Sequence, residues 1–375
     1  MRNIFISIFI FMINGLFPQA HTFDLIICKS SDGINWANNA LFEAQAGVPS
    51  VAQHTTGLLS CVFQWFPSPT NQSNPSFDKI AVKQSSDNGL TWSSPQLISI
   101  SGYPPTYKRP FDPTLVVTDN GNLRLYFSAS RNGMLTLLDS TVHTYSAISP
   151  DGINYTYEGV RVLVDDSITI DPAVAKLGNT WHYTCPSGPP QAGAHHFISG
   201  DGLAWTRTTA VTSDMNHNWT GNLLIDGNEM KFYGTPNPQT NAIWMRQTNN
   251  GFNWGPYTNC TGTLPSNGAQ ADPAVVKPSS ANYLMIYVGK QSLLGTLENI
   301  SENLSVVVYP NPTGDKINIS TSEKITEIKI IDAHGKIIFI TTEDTKCIQP
   351  FLPTGVYLVE VQTSKGKVQH KLLIE

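Results

Sequence analysis

Ser31-Asp32-Gly33-Ile34-Asn35-Trp36 is the first of five related turns, and this repeat decides how the chain folds. The others are Ser85-Ser86-Asp87-Asn88-Gly89-Leu90-Thr91-Trp92, Ser149-Pro150-Asp151-Gly152-Ile153-Asn154-Tyr155, Ser199-Gly200-Asp201-Gly202-Leu203-Ala204-Trp205 and Thr248-Asn249-Asn250-Gly251-Phe252-Asn253-Trp254. In each, an Asp or Asn side chain can accept hydrogen bonds from backbone N–H groups further on. Gly supplies the positive φ of the reversal, and the closing aromatic packs beside it. A repeat of roughly 50 residues marks units that bury their faces only against one another. Asp32, Asp87, Asp151, Asp201 and Asn250, with Trp36, Trp92, Trp205 and Trp254, are therefore expected to be structural.

A second repeat runs out of phase with the first. Apolar strands open at Val48-Pro49-Ser50-Val51, Asp112-Pro113-Thr114-Leu115, Asp171-Pro172-Ala173-Val174, Thr220-Gly221-Asn222-Leu223 and Asp272-Pro273-Ala274-Val275. Each is followed by a turn and a second strand rich in β-branched and aromatic residues, such as Leu123 to Phe127 or Tyr283 to Tyr287. The mature chain starts with strands flanking the first turn, and its repeat region ends with an inner pair at Asp272 to Gly289. The count closes only if those two pairs join, which also removes an open sheet edge. The expected fold is all-β: a five-bladed β-propeller closed by pairing of N- and C-terminal strands, plus a small C-terminal β-sandwich.

The turns resemble the Asp box of sialidases and other secreted β-propellers, where the motif lies on the face away from the active site. Composition suits that class. Charged residues are 14%, below the about 25% usual for soluble domains, and Gly and Pro are frequent. A net charge of -5 with no basic patch argues against nucleic acid as a partner.

Residues 1–20 read as a cleaved signal peptide, with Arg2, an apolar run from Ile4 to Phe17, and Ala20 at the cut, although Pro18 departs from the usual A-x-A pattern. The run is shorter than the roughly 20 residues of a membrane span, so none is expected in the mature chain. The propeller takes residues 21–290 and a linker 291–304. Of the five cysteines, Cys28, Cys61 and Cys185 fall in strands as small buried thiols, and no pair has C-x-x-C spacing. No zinc site and no other resident metal or cofactor is expected. A channel Ca²⁺ on carboxylate oxygens is chemically admissible, but no loop motif supports it.

Residues 305–375 form a different module. Val308-Tyr309-Pro310-Asn311-Pro312, Asp332-Ala333-His334-Gly335-Lys336 and Leu352-Pro353-Thr354-Gly355-Val356-Tyr357 occur in that order among alternating apolar strands. They resemble the type A C-terminal sorting domain of the bacterial type IX secretion system. The resemblance implies export across both membranes, the secretion machinery as partner, and a secreted or cell-surface location.

Function is expected on the face opposite the Asp boxes, where the irregular connections emerge. Those loops carry Gly102 to Phe111 with Arg109, then Arg131, His196, His217 and Trp219, residue types that stack on sugars and bond their hydroxyls. Asp112, Asp171 and Asp272 occupy one position in three of five blades, at the mouth of the central channel. Carboxylates sharing a cavity push one another's pKa values apart, as acid/base division requires.

This trio resembles the inner-strand carboxylates of glycoside hydrolase families 43, 32 and 68. In family 43 a base Asp, an orienting Asp and an acid Glu act together. The chain departs from that pattern: Val48 and Thr220 replace two carboxylates, and Glu43, Glu158 and Glu229 lie away from inner-strand starts. A sialidase is a weaker fit, because Gly47-Val48-Pro49 leaves empty the Arg position of that family's first motif, and nothing aligns Arg109, Arg131 and Arg246 as its triad. Two classes of function follow. One is a secreted glycoside hydrolase acting on an extracellular polysaccharide or glycan, with Asp272 or Asp112 as base and Asp171 as acid or modulator. The other is a non-catalytic surface propeller that binds a glycan or protein, its Asp-Pro turns serving as strand-start caps.

Overall fold

The computed structural model describes residues 23–67, 73–132, 142–164, 167–239, 241–263, 270–278, 282–289, 306–314, 316–332, 336–364 and 366–374. The expected signal segment and linker lie outside them. The chain divides into two compact units, Met1–Gln291 and Ser292–Glu375. Among the described residues there are many strands, one short 3₁₀ turn at Pro190–Ala192, and no α-helix.

The first unit contains five sheets, antiparallel but for one edge strand of the second. Sheet one runs Ala46–Gln53, Leu59–Trp65, Lys79–Ser85, Gln96–Leu97 from inside out. Sheets two, three and four begin with Phe111–Val117, Ala173–Leu177 and His217–Asp226. Sheet five is assembled from both ends of the unit: Ala271–Val276 pairs with Tyr283–Gly289, and that strand pairs along its whole length with Asp24–Ser30, which carries Ala37–Glu43 outside it.

Five apolar clusters fill the seams. Leu115, Val62 and Ala52 belong to the seam of sheets one and two, Tyr126 and Tyr183 to that of two and three, and Trp219 and Ala173 to that of three and four. Tyr233 and Met285 lie in the seam of four and five, and Ala274 and Phe63 join five to one. Sheet five thus packs against both the fourth and the first. A buried aliphatic or aromatic side chain contributes about 1.5–3 kcal/mol, so the seams carry the stability of the unit.

Where the period-2 pattern weakens, the strands shorten. The outermost strands of sheets three and four are only Thr206–Arg207 and Thr258–Asn259, since they have only one neighbour and little side chain to bury. Sheet two gains Ser99–Ser101, which pairs in parallel with Asn154–Val162, an addition the repeat pattern did not foresee.

The five turns have one geometry. Asp32 Oδ1 accepts from the N–H groups of Ile34 and Asn35, both at 2.8 Å, and Asp151 repeats this with Ile153 and Asn154 at the same distances. Asn250 does the same toward Phe252 and Asn253 at 2.9 Å. These backbone bonds favour the charged form, so the Asp32 carboxyl is held below its usual range.

Glycine in the turn serves packing as well as φ. At Gly251 (φ 79°) a Cβ would sit 2.0 Å from the His182 ring of the preceding sheet, and at Gly33 (φ 78°) 2.7 Å from the Tyr233 hydroxyl. The turn carbonyls are bonded to the preceding sheet as well, through Tyr126 Oη to Gly202 O at 2.5 Å and Gln84 Nε2 to Asp151 O at 2.9 Å. Each turn latches its own sheet onto the one before it.

The second unit has two sheets over one core. One is Val306–Tyr309, Ile317–Thr321, Cys347–Ile348, and the other orders Ile337–Thr341, Ile325–Ile331, Gly355–Thr363, Gly366–Ile374. Ile317, Ile328, Ile330, Val359, Val361 and Leu372 are fully buried between them. Cys28, Cys61, Cys185 and Cys260 are buried free thiols, and Cys347 is an exposed one.

Candidate active site

The inner strands begin with a shared irregularity. In sheets one, two and five the pairing register breaks between Gly47 and Ser50, Phe111 and Thr114, and Ala271 and Ala274, each time skipping an x-Pro dipeptide. The first skipped residue is left-handed: Val48 at φ 47°, Asp112 at 47° and Asp272 at 47°, with Asp171 at 51° just before sheet three. Proline has no N–H to give the ladder, and Asp tolerates positive φ, so Asp-Pro is a natural bulge. Val48 keeps the same backbone with a β-branched side chain, which is strained there.

The bulges bring the three carboxylates to one place. Asp112, Asp171 and Asp272 line a single narrow cavity with Val48, Gly221 and Asn222. Its free volume of about 10 Å³ holds roughly one water. Polar contacts tie the surrounding strands together: Ser50 Oγ donates to Asn222 Oδ1 at 2.9 Å, Asn222 Nδ2 to Pro49 O at 3.2 Å, and Leu115 N to Ser50 Oγ at 3.0 Å. Thr114 Oγ1 donates to Pro172 O.

Burial in this cavity opposes the loss of protons. Asp171 is pushed well above the usual carboxylate range by burial and then by the charges of Asp112 and Asp272. Asp112 rises to about 7, through burial and then the charge of Asp272, against a backbone bond from Asp171. Asp272 rises least, to about 6, because hydrogen bonds from Thr235 and Thr220 offset its burial. The backbone N–H of Asp272 in turn donates to Thr235 Oγ1 at 2.8 Å. Burial and mutual repulsion thus hold the three carboxyls toward their protonated forms.

The loop residues expected to border the carboxylates lie elsewhere. Trp219 is 1% exposed, stacked on Phe232 with ring centroids 4.3 Å apart, and its indole donates to Thr184 at 3.2 Å, so it is core. His196 is also buried, 3.0 Å from His182 and beside Phe252 of an Asp-box turn. His217 stacks on Tyr257 at 3.6 Å and bonds Asp214 at 2.6 Å. Arg131 follows the second strand of sheet two and is exposed. Alternation on a strand end decides which way such a side chain faces, and a loop reading cannot supply it.

Arg109 reaches the trio indirectly. Its guanidinium pairs with the carboxylate of Asp78 and donates from Nε to the Asp78 carbonyl at 2.6 Å. Asp78 Oδ1 accepts from Gln64 Nε2 at 2.6 Å, and Gln64 Oε1 lies 3.5 Å from the backbone N of Asp112. Asp78, 3% exposed and left-handed at φ 54°, was not legible as a site residue, because it sits in no repeat. Arg246 is bonded to the carbonyls of Gly255 and Trp254 and lies over Tyr257, away from Arg109. Glu43 and Glu158 are paired with Lys83 at 3.2 Å and Arg124 at 2.9 Å. Among the described residues no group of three or more His, Cys, Asp or Glu is placed to hold a metal ion.

Residues 307–375 match the family model of the secretion system C-terminal sorting domain, which marks the chain as a secreted or cell-surface protein. No described helix is long and apolar enough to cross a membrane. No curated protein matches the chain by sequence. Among solved structures it is similar to an exo-β-1,3-galactanase from Clostridium thermocellum, at 11% identity and a TM-score of 0.50 over 88% of this chain and 83% of that one. It is also similar to an α-L-arabinofuranosidase from Clostridium thermocellum (14% identity, TM-score 0.49, 80% of this chain and 94% of that one). A family 117 glycoside hydrolase from Zobellia galactanivorans follows (14% identity, TM-score 0.45, 66% and 85%). The likeness to the galactanase is one of fold: an all-β, propeller-like architecture that is also found in a glycoside hydrolase.

Proposed function

We propose that the first unit is a closed five-bladed propeller acting as a secreted glycoside hydrolase on extracellular glycans, delivered by the type IX route through residues 305–375. The observation that carries this reading is the meeting of Asp112, Asp171 and Asp272 in one cavity, where burial raises the proton affinity of each. The five seams and the two-ended fifth sheet support the closed ring.

The roles divide by the surroundings of each carboxyl. Asp272, whose carboxyl accepts hydrogen bonds from Thr235 and Thr220, serves as general base, Asp171, buried beside the two other carboxyls, serves as general acid, and Asp112 modulates both. An inverting hydrolysis needs a water between base and sugar, and the cavity has room for about one. Incubating the mature chain with a panel of polysaccharides and aryl glycosides, beside Asp171→Asn, tests this. Turnover by the wild type that vanishes in the variant is expected.

The narrowness of the cavity favours a second reading, a propeller that binds a glycan without cleaving it. Retained glycan binding with no turnover of any member of the panel by the wild type would select that reading.

A further inference from the structure

We propose that a groove between sheets one and two binds an anionic sugar residue, one bearing a carboxylate or a sulfate ester, of an extracellular polysaccharide. The proposal rests on the glycan-directed reading above and names the substrate class. The groove has a volume of about 200 Å³ and is lined by Lys79, Ile80, Ile98, Ile100, Tyr103 and Arg109. That is below the roughly 300–1,000 Å³ of sites for drug-sized ligands, and so suits one sugar ring.

Its floor and wall are preorganised. The Tyr103 ring is held edge-on by Tyr157, Phe127 and Tyr107 at 5.4, 5.8 and 5.9 Å, and its hydroxyl is spent on the Lys108 carbonyl. What Tyr103 offers a ligand is an aromatic surface, and Ile98 and Ile100 continue it; such surfaces take the C–H face of a sugar.

The rim is cationic. Lys79 is exposed and makes no ion pair among the described residues. Arg109 is fixed by Asp78 through Nε and Nη2, yet its side chain is 41% exposed, leaving Nη1 without a described partner. Asp78 neutralises one of the two cations, so the rim carries about one net positive charge on a chain whose total is -5. A neutral sugar would leave that charge unused, and a purely apolar ligand would leave Arg109 Nη1 without a partner. Because Arg109, Asp78 and Gln64 lead to the backbone of Asp112, the groove and the carboxylate cavity share one hydrogen-bonded connection.

Binding of the full mature chain to polygalacturonate, a sulfated galactan and a neutral galactan, measured by calorimetry at low and physiological salt, tests the proposal. The wild type is expected to bind at least one of the two anionic polymers about tenfold more tightly than the neutral one, with the better of the two identifying carboxylate or sulfate. Lys79→Glu should remove that preference, with Lys79→Gln intermediate; as Lys79 is exposed, both variants should melt like the wild type. Equal affinity for neutral and anionic polymers, or an unchanged preference in Lys79→Glu, would overturn the proposal. A wild type that binds an anionic polymer without cleaving any glycan would sink the hydrolase reading and leave this one standing.

Discussion

The Tyr233 hydroxyl donates to the Gly33 carbonyl at 3.0 Å across 200 residues of chain, and thereby fastens the turn of sheet five to the core of sheet four. Gly33 is at φ 78°, with the same hydroxyl occupying the place of a Cβ. Gly33→Ala is expected to cost about 1–3 kcal/mol by forcing an L-residue into positive φ against that contact. Tyr233→Phe should cost about 1 kcal/mol. Urea denaturation of the two variants checks both values.

Asp171→Asn is expected to abolish turnover while leaving the melting temperature unchanged or raised. Asn keeps the shape, cannot transfer a proton, and removes a carboxyl whose ionisation is opposed by burial and two neighbouring carboxylates. A rate-against-pH profile of the wild type should rise through about 6 as Asp272 becomes ionised, and fall at higher pH as Asp171 loses its proton.

Stability should depend on pH in opposite senses on the two faces of the unit. Asp112 and Asp272 have folded pKa values raised to about 7 and about 6 from 3.8, so their contribution is full below about 4 and is lost as pH rises through 6 to 7. Asp32 is lowered, so its contribution is present above about 4 and is lost as pH falls through its folded value. Chemical denaturation from pH 3 to 8 should show greatest stability in mildly acid solution, and Asp112→Asn should flatten the decline on the alkaline side.

Asp78→Ala should cost about 1–3 kcal/mol, since it leaves the buried amide of Gln64 without its acceptor and frees Arg109. Its further signature is a change in rate or in the pH profile through Asp112, while Asp78→Asn, which retains an acceptor for Gln64, should be milder. Stopped turnover assays with thermal melts separate the two effects.

Removing Leu352 to Glu375 should leave the first unit folded and keep the chain from leaving the cell. The strands Gly355–Thr363 and Gly366–Ile374 supply much of the core of the second unit, including Val359, Val361 and Leu372, whereas the seams of the first are built from its own residues. Fractionation of cells producing the truncated chain, beside a melt of the purified product, reads both outcomes. Surface delivery equal to that of the full chain would contradict the sorting role.

The sequence by itself determined the repeating architecture, because its signals are local. An Asp that bonds the N–H groups of the next residues, a Gly at positive φ and an aromatic a few positions on form one turn wherever they occur, and Asp32, Asp151 and Asn250 share that geometry across the sheets. The alternation of Leu123 to Phe127 and of Tyr283 to Tyr287 placed strands for the same reason, and Asp112, Asp171 and Asp272 could be grouped because they hold equivalent positions in the repeat; they line one cavity. The surroundings of the trio were decided by tertiary structure alone. Trp219 and His196 looked like ligand-facing loop residues and are core, since their orientation depends on the bulge and pairing register that their strands adopt with neighbouring strands. Asp78 and Gln64 belong to no motif, and their link from Arg109 to Asp112 exists only because two sheets pack side by side. The narrowness of the cavity and the depth of the Lys79 groove are likewise properties of how sheets close on one another, which no spacing along the chain encodes.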